Sequence, residues 1–120
     1  MVMLDTNIIL RYLLNDDEQM AYEAETIIKS MPVQVRIEII AEVVYVLKGV
    51  YHVDKAEIKK SLIGLLSEVT TPEPEVLKLG IETYAEQNLD FPDCILYAYH
   101  RIKGYEIKTF DKKLNKLLAK

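Results

Sequence analysis

At 120 residues with a formal net charge of −4, the chain has the length of one domain and enough residues for one core. Half hydrophobic and 28% charged, its composition is that of a globular protein, and no run approaches the roughly 18 apolar residues of a membrane span. The acidic balance, taken alone, argues against a nucleic-acid binder, whose usual footprint is basic.

In chain order, Val2–Leu4 is a short apolar run that stops at Asp5 and predicts a strand. Apolar residues at 9, 10, 13 and 14 predict a helix over Thr6–Leu14. Acids at Asp16–Glu18 mark the next helix start, with Met20, Ala24, Ile27, Ile28 and Met31 as its buried face and Pro32 as its stop. Val33–Arg36 reads as a second strand, and Ile37–Lys48 as a strongly apolar helix closed by Gly49. Asp54 caps a helix whose face is Ile58, Leu62, Ile63 and Leu66. Glu68–Thr71 predicts a third short strand. Pro74 opens one helix, and Pro92 opens another that runs through Lys103 to Gly104. Tyr105–Phe110 predicts the last strand and Lys112–Ala119 the last helix. Strands separated by helices imply a helix-rich α/β fold with a small parallel sheet of about four strands, covered on both faces.

Charge is unevenly spread. Residues 100–120 hold seven basic side chains against two acidic ones, while the first 99 residues carry −9. Such a tail is either a solvated last helix, with lysines where the helix dipole favours them, or a surface for an anionic partner. The single cysteine, Cys94, cannot form an internal disulfide, which suits a reducing cytoplasm. Met1–Asn15 carries Asp5 and lacks a basic leader, so a signal peptide is not expected there. His52 and His100 are far apart in sequence and offer no zinc spacing, and the four glycines form no phosphate loop.

Four acids stand in a particular relation to this layout. Asp5 and Asp111 follow the first and last strands, where open parallel α/β sheets place their functional residues. Asp93 starts the helix that leads into the last strand, so it belongs to the same edge. Glu42 lies a turn and a half into the helix after the second strand. Each has an ordinary structural role available. Asp5 or Thr6 could cap the first helix, Asp111 the last, and Asp90 with Asp93 could form a capping box around Pro92. Glu42 shares a stripe with Glu38, Tyr45 and Gly49 that could simply face water. Together, several carboxylates at one edge repel one another and are stable when they hold a hard divalent cation such as Mg²⁺ or Mn²⁺. Such a site can support hydrolysis of a phosphodiester.

These motifs resemble those of the PIN domain family, and specifically of the VapC-type ribonuclease toxins. The opening Met1–Asp17 run, with Thr6 and Asn7 after Asp5, resembles the family's signature start. The segments around Glu42 (A-E-V-V-Y-V-L), Asp93 (D-F-P-D-C-I-L-Y-A) and Asp111 (I-K-T-F-D-K-K-L) resemble its second, third and fourth acidic motifs, and the likeness spans essentially all 120 residues. The resemblance implies one PIN domain over residues 1–120, a three-layer α/β/α fold with a small central parallel sheet surrounded by helices. It implies Asp5, Glu42, Asp93 and Asp111 as metal-binding and catalytic carboxylates for Mg²⁺ or Mn²⁺. Thr6, Asn7 and Thr109 match polar motif positions that orient ligands or bond the backbone, and Asp90 either assists or caps. An RNA substrate, a homodimer, a small antitoxin partner and a cytoplasmic setting are further implications. Pro92 and Cys94 stand where family members often carry alanine, and neither removes a carboxylate. Two other classes fit less of the sequence: a non-catalytic PIN-like RNA-binding or assembly module, and a phosphate-signalling receiver domain. The latter needs a phosphoacceptor Asp at a strand end, whereas Asp54 precedes a helix.

Overall fold

Seven helices and two short strands make up the chain in a computed structural model that describes residues 1–120. They divide between two units, Met1–Pro72 and Glu73–Lys120.

The first unit runs β1 (Val2–Met3), α1 (Thr6–Leu14), α2 (Glu18–Ser30), β2 (Val33–Gln34), α3 (Ile37–Gly49) and α4 (Lys55–Leu66). β1 and β2 pair in parallel, with Val2 opposite Val33 and Met3 opposite Gln34. Thr70 adds a single parallel bridge beside Gln34. Its N–H donates to the Val33 carbonyl and its own carbonyl accepts from the Val35 N–H, both at 2.9 Å. α1 packs on α2 and α3. Ile9, Leu10, Val35, Ile40, Val43, Leu47, Ile58 and Leu62 are fully buried or nearly so and form the core. Burial of this aliphatic set stabilises the unit at about 25 cal/mol per Å² of apolar surface removed from water. Helix starts follow the acids: Asp17 accepts from the Met20 N–H and Asp54 from the Glu57 N–H, each at 3.0 Å. Such caps contribute about 1 kcal/mol apiece. Asn15 ends α1 in the left-handed region at φ 52°.

The buried face of α2 differs from the expected one. Ala21, Ala24 and Ile28 are buried, whereas Met20 and Met31 are about half exposed. Small alanines let the helix lie close to its neighbour, which turns the methionines outward.

The second unit contains α5 (Pro74–Glu86), α6 (Phe91–Lys103) and α7 (Lys112–Leu118). α5 and α6 pack closely at Gly80, where an added Cβ would lie 2.5 Å from Ile95 Cδ1 and 3.6 Å from Ile95 Cα. Tyr84 and Phe91 meet edge to face, with ring centroids 5.8 Å apart. Gly104 closes α6 at φ 72°, and its N–H donates to the His100 carbonyl. A side chain there would be strained, which is why glycine ends the helix.

The helices lie within a residue or two of expectation, but the sheet is smaller. It has two strands, not about four. Glu68–Thr71 contributes only the Thr70 bridge, because Pro72 follows at once and cannot donate to a ladder. Tyr105–Phe110 joins no ladder. Glu106, Lys108 and Phe110 are exposed while Ile107 and Thr109 between them are only half-buried, so alternation in this segment sets no fully buried face against the wet one. No helix is long and apolar enough to cross a membrane.

Candidate functional site

Asp5 follows β1 and caps α1. Its backbone is extended, and Oδ1 accepts from the Ile8 N–H at 3.1 Å. Oδ2 makes no hydrogen bond, and the residue is exposed. The capping role anticipated for Asp5 is therefore real, and it uses one of the two carboxylate oxygens. Thr6, the next residue, buries its hydroxyl without a hydrogen-bond partner. Asn7 is exposed on the first turn of α1. Glu42 lies on the solvent face of α3, in one exposed stripe with Glu38, Tyr45 and Gly49. A residue in mid-helix cannot cap, and Glu42 has no ion-pair partner in its unit.

In the second unit, Asp111 caps α7 through Oδ1, which accepts from the Leu114 N–H at 2.8 Å. Thr109 fixes the approach to that cap. Its hydroxyl accepts from the Asp111 N–H at 3.0 Å, and its carbonyl accepts from Asn115 Nδ2 at 2.8 Å. Asp90 occupies the cap position of α6, but its side chain makes no capping bond. The capping box anticipated for Asp90 and Asp93 does not form. Pro92, second in α6, removes the N–H that a simple cap at Asp90 could use, whereas the box would use the Asp93 N–H, which Pro92 does not touch. Asp90 thus keeps its charge uncommitted at the head of the helix.

Asp93 is part-buried in the first turn of α6. Burial pushes its carboxyl above the usual carboxylate range, and the negative charges of Asp111 and Asp90 push it further. A carboxylate at a helix start is normally stabilised by the dipole, so these opposing effects are the larger ones. Within their unit none of the three acids has an ion-pair partner, since the pairs there are Lys103 with Glu73 and Lys108 with Glu106. The unit therefore brings Asp90, Asp93 and Asp111 into one electrostatic neighbourhood without a cation. Within neither unit are three His, Cys, Asp or Glu side chains gathered tightly enough to hold a metal ion as they stand.

Taken unit by unit, the donor types are nevertheless those that suit a hard cation. In the first unit Asp5 keeps one oxygen outside its cap bond, Glu42 is unengaged and Thr6 Oγ1 is a buried polar atom with no partner. In the second Asp111 keeps one oxygen outside its cap bond and Asp90 is unengaged. Oxygen donors of this type select Mg²⁺ or Mn²⁺ over zinc. Cys94 is buried in α6 and His52 is exposed. His100 Nδ1 sits 2.9 Å from the Tyr105 carbonyl, closing the C-terminal turn of α6. The ion-pair and hydrogen-bond sets of Arg11 with Asp16 and Tyr51, and of Glu68 with Tyr12 and Lys29, were not legible in sequence. They join residues up to 56 positions apart and tie the first unit together.

A short parallel ladder among many helices places the chain in the helix-rich α/β class. It belongs to the PIN domain family, whose family model matches residues 2–119 and so runs through both units. PIN domains are typically nucleases and generally use divalent metals. Neither the curated proteins nor the solved structures yield a match to this chain.

Proposed function

We propose that the protein is a Mg²⁺- or Mn²⁺-dependent endoribonuclease that hydrolyses RNA phosphodiester bonds, and that Asp5, Glu42, Asp93 and Asp111 are its metal-binding carboxylates. In this reading the chain is one three-layer PIN domain. The observation that carries it is the part-buried Asp93 carboxyl, raised by burial and by Asp111 and Asp90 and left without a cationic partner, in a chain of a nuclease family. Unbalanced carboxylates destabilise an empty fold and are retained where a cation binds. When bound, the cation supplies charge neutralisation at the phosphate and acidifies water. The chain's own residues hold and orient. Thr109 anchors the Asp111 backbone, Thr6 offers an unpartnered hydroxyl beside Asp5, and Asn7 and Asp90 present polar groups near the acids adjacent to them in sequence.

The net charge of −4 fits this reading, since the four carboxylates equal it in number. The likeness to VapC-type toxins adds a homodimer, a small antitoxin partner and a cytoplasmic setting, the last in keeping with the free thiol of Cys94.

Cleavage of an RNA panel with Mg²⁺ or Mn²⁺, comparing wild type with Asp5→Ala and Asp93→Ala, tests the reading. Cleavage by wild type and its loss in both variants is the expected result, and equal activity in all three overturns it. A second reading, a non-catalytic RNA-binding or assembly module, is favoured by the cap bonds of Asp5 and Asp111, which give these acids a structural role. It expects RNA binding without cleavage under any metal.

A further inference from the structure

The second unit carries a groove of about 240 Å³ between α7 and the turn that joins α5 to α6. Lys113, Lys116 and Lys120 line it from α7 and just past its end, and Gln87 and Asn88 line it from the turn. Leu89 and Leu117, both buried, form its floor. The lysines are exposed and none has an ion-pair partner in its unit. Lys113 and Lys116 are three residues apart and share one face of α7, with Lys120 just past its end. Asp111, the one acid at the head of α7, is engaged by the Leu114 N–H.

We propose that this groove binds the phosphodiester backbone of single-stranded RNA. Three lysine ammonium groups in one groove make a lining of hydrogen-bond donors and positive charge, which suits phosphate oxygens. The lining holds no aromatic ring on which a base could stack, so contacts go to the backbone and carry no sequence information. The turn at Gln87–Leu89 runs directly into Asp90, and Lys113 follows Asp111 by two residues. A strand seated in the groove therefore continues toward the acids of the same unit. The identity of the polyanion as RNA rests on the nuclease reading; the groove's affinity for a phosphate chain does not.

Binding of a dye-labelled, mixed-sequence single-stranded RNA to the full chain, read by fluorescence anisotropy in EDTA over a salt series, tests this without cleavage. Lys113→Gln with Lys116→Gln is expected to weaken binding on the order of tenfold at 0.1 M salt and to reduce the log K against log salt slope by about 1.4, two charges at roughly 0.7 each. Lys113→Arg with Lys116→Arg keeps the wild-type slope. Lys60→Gln with Lys78→Gln, an equal charge change outside the groove, also keeps it. An unchanged slope in the first pair, or an equal loss in the control pair, overturns the inference. Competition by poly-glutamate as strong as that by unlabelled RNA overturns it in favour of an acidic protein partner. If the slope falls as expected yet no metal supports cleavage, the groove stands and the nuclease reading falls. If cleavage occurs with the slope unchanged, the reverse holds.

Discussion

Asp111 raises the proton affinity of Asp93, and no lysine or arginine pairs with either within their unit. Burial is the largest cause of the shift, with Asp111 next and Asp90 third. An acid whose folded-state pKa lies above its unfolded value stabilises the fold only while protonated. That contribution is present below the ordinary carboxylate range and is lost as pH rises through the raised value. At pH 7 the metal-free protein carries the full cost of a charged Asp93. Asp93→Asn is therefore expected to melt higher than wild type at pH 7, by roughly 3 °C, with the gap closing as pH falls toward 3.5. Circular-dichroism melts in EDTA across that range check it. A variant that melts lower than wild type at pH 7 makes Asp93 a structural residue.

Asp5 and Asp111 are caps, and under the proposed function also ligands; amide and alanine substitutions separate the two roles. The cap needs only one acceptor oxygen, which asparagine retains. Asp5→Asn and Asp111→Asn are expected to keep wild-type stability within about 0.5 kcal/mol, whereas the alanine variants lose about 1 kcal/mol each. Under the proposed function all four lose RNA cleavage. Glu42→Gln, on an exposed helix face with no partner, leaves stability unchanged and also abolishes cleavage. Denaturant titration beside the cleavage assay reads both effects. Full cleavage by the asparagine variants reduces these acids to caps.

The sequence carried the helices because their signals are local. Asp17, Asp54 and Asp111 supply capping oxygens three residues before a free N–H, Pro74 and Pro92 fix the first turn, and Gly104 adopts the positive φ that ends α6. Strand pairing is not local. Tyr105–Phe110 has the alternation of a strand, yet its exposed Tyr105 and Phe110 show that period 2 alone recruits no partner. The positions of Asp5, Asp90, Asp93 and Asp111 at the ends of elements were legible for the same reason as the caps, whereas Glu42 lies in mid-helix. The missing bond at Asp90 leaves no sign in the sequence, because the box would use the Asp93 N–H, which Pro92 does not remove. The lysine groove was visible only as a basic tail. The spacing Lys113, Lys116, Lys120 marks one side of it, but Gln87 and Asn88 come from another element and leave no local sign.

Gly80 and Ile95 are packed so closely that their substitutions are expected to couple. A methyl group at position 80 meets Ile95 Cδ1 at 2.5 Å, and Ile95 is buried, so its end group has little room to move. Ile95→Val removes that atom. In the wild-type background this leaves a small void and costs about 1 kcal/mol. With Gly80→Ala in place, the new methyl fills part of the same space. Ile95→Val is then expected to cost at least 0.5 kcal/mol less, a coupling measured by a double-mutant cycle in urea. Additive costs show that α5 and α6 separate to accept the alanine.

Gly64 is the opposite case. It lies in the last turns of α4, it is exposed, and an added Cβ meets nothing within 4 Å. Its carbonyl accepts from both the N–H and the hydroxyl of Ser67, and neither bond involves the position a side chain would take. Alanine restricts the unfolded chain and keeps the helical backbone unstrained. Gly64→Ala is expected to stabilise the protein by about 0.4–1 kcal/mol and raise the melting temperature by a few degrees. RNA binding and cleavage stay at wild-type levels, because no proposed ligand or groove residue lies on α4. A calorimetric melt that shows no increase means that α4 frays at this end before the rest of the unit unfolds.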